Sequence, residues 1–410
     1  KLIFERFLKN QDVTLFSYHE CPSLWNTFGL EGFKEKYEKA EANKNIKFKK
    51  KVPARELMGL LAKERLETGR IYTMFVDHAN EHGSWLDQVD TSNLCLEVHH
   101  PLIPINDVND KDAEIGVCIL AALNWLEIKD DEEMESVCDI IVRMLDALIE
   151  HQDYFVPAAE NFAKKRRSLG VGVSNLAALL AKEGLKYWDK DAPNFVAKWM
   201  EKTSYYLIKA SVEMAKEVGK CEKFDRTKFS QGVLPIDTYK RDIDEFVTEP
   251  LHMDWEALRA EIKKYGMRHS TLTACMPVES SSVIQSSTNG IEPPRALVSY
   301  KQSKDGVMAQ VVPGYHHLKN KYDLLWEQKT PEGYLKVCAV LQKYIDQGIS
   351  VNTSYNPQHF PDEKIPMSSM LQHLMMFYKY GGKQLYYFNT YDGAGEIDID
   401  KLEQSSIVED

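Results

Sequence analysis

Ser92-Asn93-Leu94-Cys95-Leu96-Glu97-Val98 is the stretch on which the reading of this chain turns. Leu94, Leu96 and Val98 alternate with Asn93, Cys95 and Glu97, the period-two pattern of a β-strand. Side chains two apart on a strand share a face, so the pattern predicts an amide, a thiol and a carboxylate side by side, backed by an aliphatic face. Such a trio either meets water on an edge strand or is held for chemistry, because burying it unpaired is costly.

Toward the N-terminus, Ile3, Phe4, Phe7 and Leu8 have helical spacing with no capping residue before them, so the chain is expected to begin inside an element of a larger protein. Val13-Thr14-Leu15-Phe16 reads as a strand, 24–45 as a charged helix and 46–52 as a basic, solvated edge. Pro53 opens a helix that Gly69 closes, with Leu57, Leu60 and Leu61 on one face, and 70–76 reads as a strand. His99-His100 beside Glu97 invite a metal reading, but adjacent histidines on a strand face opposite ways and no spaced third ligand follows.

Toward the C-terminus, 115–120 is apolar, and by pattern alone its Cys118 reads as a packed thiol. A helix over 131–152 should bury Val137, Ile140, Ile141, Met144, Leu145 and Leu148. Lys164-Lys165-Arg166-Arg167 reads as a solvated helix end. Gly170 and Gly172 lack the third glycine and the acidic partner of a dinucleotide fingerprint, which excludes that fold. Helices over 192–218, 255–265, 331–347 and 366–380 alternate with strands over 271–275, 349–355 and 384–390. A hairpin turns at Asp305-Gly306. The alternation predicts an α/β fold with a largely parallel sheet or barrel in a single domain.

The 410 residues are 43% apolar and 28% charged, the composition of a soluble globular protein, and no apolar run is long enough to span a membrane. Without a signal-like start, the expected compartment is the cytoplasm. A net charge of −11 disfavours non-specific nucleic-acid binding. Seven scattered cysteines without a Cys-x-x-Cys fit reduced thiols, most of them buried.

Met276-Pro277-Val278-Glu279-Ser280-Ser281-Ser282 follows the 271–275 strand as a strand-to-helix turn. Free N–H groups there would suit a phosphate, though an ordinary serine-capped helix has the same signature. Tyr386-Tyr387 reads as an amphipathic pair. Taken together and in this order, Asn93-Leu94-Cys95-Leu96-Glu97, EIGVCILAALN around Cys118, the Pro277 turn, STNGIEPP at 287–294 and Tyr386-Tyr387 resemble the large subunit of class I ribonucleotide reductases. The resemblance runs over nearly the whole sequence.

That resemblance implies the C-terminal portion of a ten-stranded α/β barrel over 1–394, with the radical cysteine on a central loop, and an acidic tail over 395–410. It implies that Cys95 becomes a thiyl radical, that Glu97 is a general base and that Asn93 fixes the sugar. Cys118 would supply reducing equivalents with a second cysteine from a preceding polypeptide. Tyr386 and Tyr387 would carry the radical, and Ser92, Pro277, Val278, Glu279, Ser280, Ser281 and Ser282 would bind a ribonucleoside diphosphate. Expected partners are the N-terminal part of the large subunit and a small subunit carrying a tyrosyl radical and dinuclear metal centre. A thioredoxin- or glutaredoxin-type reductant and a higher oligomer are also expected, with no cofactor bound directly. The other reading is a non-catalytic docking partner of the small subunit.

Overall fold

The computed structural model describes residues 1–303 and 306–393. The expected Asp-Gly turn at 304–306 falls partly outside these residues, and the expected acidic tail over 395–410 falls wholly outside them. The strands, in chain order, are β1 (Asp12–Phe16), β2 (Lys49–Pro53), β3 (Thr73–Met74), β4 (Leu120–Asn124) and β5 (Gly170–Ser174). Then follow β6 (Val298–Ser303), β7 (Gly306–Val311), β8 (Thr353–Tyr355), β9 (Gln384–Leu385) and β10 (Phe388–Thr390). β1–β2, β3–β9 and β6–β7 pair antiparallel, while β4–β5 and β8–β10 pair parallel. Helices between the strands make the chain α/β, as the alternation predicts.

A run of parallel backbone positions the site. Parallel bridges join Val171 to Thr273 and Cys275 to Ile349, so β5 leads through 271–275 to 348–351. Tyr386 then donates its N–H to Val351 O at 2.7 Å. The two glycines that mimic a nucleotide fingerprint serve this packing. A Cβ on Gly172 would stand 2.7 Å from Ala274 O, and one on Gly170 would stand 2.5 Å from a Leu120 methyl. Buried Asp346 stitches the same strands, accepting from Leu272 N at 2.8 Å and Thr273 N at 3.0 Å. Lys383, fully buried, donates to the carbonyls of His82, Asp346 and Gln347 beneath the run.

Several elements differ from expectation. Residues 92–98 form a turn instead of a strand: Asn93 N–H donates to Val98 O at 3.1 Å, and Leu96 takes φ +70°. Leu94 is 77% exposed while Leu96 and Val98 are buried, so the alternation belonged to a folded-back loop. The 24–45 segment breaks into Pro22–Trp25 and Phe33–Ala42, 70–76 contributes only β3, and the 331–347 helix is Glu332–Gln342. The strand over 349–355 is regular only in β8, and the one over 384–390 divides into β9 and β10 around Tyr386-Tyr387.

Two helix faces also move. Ala54–Thr68 buries Met58, Ala62 and Arg65 and leaves Leu60 exposed. Asp131–His151, capped by Asp130, buries Met134, Cys138, Val142, Leu145 and Ile149, whereas Ile140, Met144 and Leu148 face out. Nor is the basic run wholly solvated. Arg166 forks onto Glu114 at 2.9 and 2.7 Å, and Arg167 pairs with Asp146 at 2.6 Å, both guanidinium groups buried. Among the described residues no helix is long and apolar enough to cross a membrane.

Candidate active site

The folded-back loop is closed by its own asparagine. Asn93 Oδ1 accepts the Val98 N–H at 3.0 Å, and Asn93 O accepts the Leu96 N–H at 3.2 Å, which lifts Cys95 to the tip. The Asn93 side chain also lies near the Cys118 thiol and lowers it against the effect of burial. Ser92 Oγ donates to Asn93 O at 3.1 Å, a contact within the loop. From below, Gly348 N–H donates to Glu97 O at 2.8 Å, tying the loop to the parallel run.

Asn93, Cys95, Glu97 and Cys118 therefore meet although no strand aligns them. Glu97 is 1% exposed, and its Oε2 accepts from Ser350 Oγ at 3.0 Å. Burial raises the Cys95 thiol above its ordinary range; a Tyr386 hydrogen bond opposes this, and the charges of Glu97 and Glu279 reinforce it. Cys118 is reachable by solvent, yet partial burial pushes its thiol up to about 11, with Glu97 and Cys95 adding to the rise. The other five cysteines, Cys21, Cys138, Cys221, Cys275 and Cys338, are buried, and all seven are free thiols.

Tyr386, bonded to the end of the run at Val351, reaches this group with its OH 3.6 Å from Cys95 Sγ. Its ring lies 4.1 Å from the Tyr387 ring, centroid to centroid. Tyr386 is 5% exposed and Tyr387 38%, so the pair leads from the loop to the surface. Burial, with hydrogen bonds to Tyr387 and Cys95, raises the Tyr386 phenol strongly, while hydrogen bonds from Tyr386 and Tyr72 lower that of Tyr387. Tyr72 was not singled out from sequence. It packs 4.6 Å from the Tyr386 ring and 5.5 Å from the Tyr387 ring. Its only local signal was its place beside β3, which pairs with β9.

The Pro277 turn leads into a single short helix, Ser280–Ile284. Glu279 stands at φ +47°, and Asn289 pins it by accepting its N–H at 2.8 Å and donating to its Oε1 at 3.1 Å. The Ser281 and Ser282 N–H groups are used by Val278 O and Glu279 O, and buried Ser282 donates its hydroxyl to Glu279 O at 2.6 Å. Ser280 and Ser281 are exposed, as is Glu279, while Val278 is buried and Pro277 half-buried, so the turn offers two hydroxyls outward beside a carboxylate. It borders a cavity of about 780 Å³ lined by Glu279, Thr288, Asn289, Glu292, Asn352 and Tyr387 among others. Glu292 lies in the STNGIEPP stretch, where sequence alone assigned it no role of its own. Burial pushes its carboxyl up to about 7, against an Asn352 hydrogen bond of 2.6 Å.

His99 and His100 are both buried, His99 beneath the loop and His100 bonded through Nε2 to Ser168 Oγ at 2.7 Å. Burial lowers both imidazoles, His100 to about 3. No group of three or more metal-ligating side chains occurs among the described residues.

The family model described as "Ribonucleotide reductase, barrel domain" matches residues 1–319 and 314–388. The chain is 48% identical to the ribonucleoside-diphosphate reductase subunit alpha of Buchnera aphidicola subsp. Schizaphis graminum, covering 96% of this chain and 52% of that protein. It is 49% identical to the ribonucleoside-diphosphate reductase 1 subunit alpha of Escherichia coli K12, over 98% of this chain and 53% of the relative. Identity to the subunit alpha of Enterobacteria phage T4 is 44%, over 97% of this chain and 53% of the phage protein. The chain thus spans about half the length of the curated relatives it matches.

Proposed function

This chain belongs to the ribonucleotide reductase barrel family, and we propose that it is the catalytic portion of an aerobic large subunit that reduces ribonucleoside diphosphates to 2′-deoxyribonucleoside diphosphates. The observation that carries the proposal is the approach of the Tyr386 hydroxyl to Cys95 Sγ, 3.6 Å, beside buried Glu97 and reachable Cys118. The parallel run would be part of a ten-stranded barrel, with Cys95 on its central loop.

On this reading Cys95, as a thiyl radical, takes the hydrogen atom from C3′ of the ribose. Glu97 accepts the 3′-hydroxyl proton, and Asn93 orients the sugar. The 2′-hydroxyl leaves as water, and two electrons come from Cys118 and a second thiol as they join in a disulfide. Burial of the other five cysteines supports a second thiol from another polypeptide segment, the part of the large subunit that this chain does not span. A thioredoxin- or glutaredoxin-type protein would reopen the disulfide.

Tyr387 and Tyr386 would pass the oxidising equivalent inward. That equivalent would come from a tyrosyl radical and dinuclear metal centre on a small subunit. Ser92, Pro277, Val278, Glu279, Ser280, Ser281 and Ser282 would form the diphosphate end of the site, Ser280 and Ser281 through their exposed hydroxyls. An oligomer in the cytoplasm is the expected setting.

The test is reduction of a ribonucleoside diphosphate by this chain with a small subunit and a dithiol, with and without the remaining large-subunit polypeptide. Activity only with both parts, abolished by Cys95→Ser without loss of small-subunit binding, is expected. Binding without any turnover would leave the docking role in its place.

A further inference from the structure

Ser350 is a side chain that hydrogen-bonds two members of the chemistry-bearing loop from outside it. Its Oγ stands 2.6 Å from Cys95 O and 3.0 Å from Glu97 Oε2, and the residue is 7% exposed. Its own backbone is immobilised, since Ser350 N–H donates to Cys275 O at 2.9 Å within the parallel run. The hydroxyl therefore projects from the parallel run into the turn.

A serine hydroxyl has one hydrogen to give and two lone pairs to receive with. A backbone carbonyl can only accept, and so can an ionised carboxylate. With Glu97 ionised, Cys95 O and Glu97 Oε2 compete for one hydrogen. With Glu97 protonated, its O–H donates to Ser350 Oγ, and the serine hydrogen goes wholly to Cys95 O. Cys95 O then receives the serine hydrogen undivided, Ser350 Oγ receives that of Glu97, and no proton leaves Glu97. The titratable groups facing this arrangement are Cys95, Cys118 and Cys275, which feel the Glu97 charge, and Glu279, which acts on Cys95. None of them offers Glu97 a cation.

We propose that Ser350 is a positioning residue whose hydroxyl couples the protonation of Glu97 to the peptide that holds Cys95, tightening the loop when the carboxylate takes up a proton. In catalysis this rests on the reductase reading above. Proton uptake from the substrate would then hold Cys95 in place once it has taken the C3′ hydrogen and the radical lies on the sugar. The grip itself is a property of this chain and does not depend on turnover.

Two measurements test it. In the complete enzyme, Ser350→Ala is expected to lower kcat about tenfold, the size of one lost hydrogen bond to a charged partner, with KM unchanged. Ser350→Thr, which keeps a hydroxyl, should restore most of the rate. A matched fall for both variants, or a change in KM alone, would overturn the coupling. On the isolated chain, iodoacetamide labelling read peptide by peptide should show Cys95 reacting several-fold faster in Ser350→Ala than in the parent, normalised to the labelling of the denatured chain, with Ser350→Thr near the parent. Unaltered Cys95 labelling would also overturn it. If labelling changes as expected but the parent enzyme does not turn over, the reductase reading fails and the grip on Cys95 stands.

Discussion

Glu292 is a carboxyl that half keeps its proton near neutral pH, on the wall of a cavity that also holds Glu279 and Tyr387. Burial moves it from 4.5 to about 7 against the Asn352 hydrogen bond and the Arg295 charge. Between those values the folded chain holds a proton that the unfolded chain has released, so Glu292 makes stability fall as pH rises through that window. Above it the ionised carboxylate costs the fold on the order of 1–3 kcal/mol. Glu292→Gln keeps an acceptor for Asn352 and cannot ionise. Urea unfolding should find it close to the parent at pH near 5 and more stable by about 1–3 kcal/mol near pH 8. An equal difference at both pH values would assign the effect to packing. At this scale the sequence was legible in side-chain chemistry, since Asn93, Cys95 and Glu97 lie together, though in a turn and not along a strand. It was silent about Ser350, 255 residues from Cys95, and about Tyr72, because neither has a local pattern and both matter only through the fold.

The helix Asp131–His151 shows where periodicity informs and where it stops. Its bounds and its apolar character could be read beforehand, because 3.6-residue spacing is local. Its inward face could not. Met134, Cys138, Val142, Leu145 and Ile149 make one stripe and Ile140, Met144 and Leu148 another, and nothing in the helix itself decides which meets the core. The structure predicts opposite costs for neighbours. Leu145→Ala should lose about 2–5 kcal/mol in chemical unfolding, and Met144→Ala less than about 0.5 kcal/mol. Similar losses at both positions would mean that the outward stripe is covered in solution. The 92–98 loop fails in the same manner, since alternation at that length fits a strand and a tight turn equally. Only Leu96 in the left-handed region and Leu94 in solvent separate the two.

At the scale of the molecule, the parallel run has two ends. One passes through 348–351 to β8 and β10, and the other stops at β4, which pairs only with β5 among the described residues. β4 carries Leu120, Ala121, Leu123 and Asn124 directly after Cys118, and all but Leu123 are only partly buried. A strand that apolar and that bare on one side is an edge that proteins otherwise cover or charge. The curated relatives have about twice this chain's length, so the cover expected here is a strand from the part this chain does not span. Such pairing would also bring a second polypeptide segment to Cys118, where the proposed chemistry needs another thiol. Hydrogen exchange can read this directly. Adding the remaining large-subunit polypeptide should slow exchange across β4 by at least about tenfold and raise the melting temperature with its concentration, as binding to the folded state requires. Protection confined to the helix Asp131–His151, with β4 unchanged, would put the contact on the outward stripe and leave the edge of the run open.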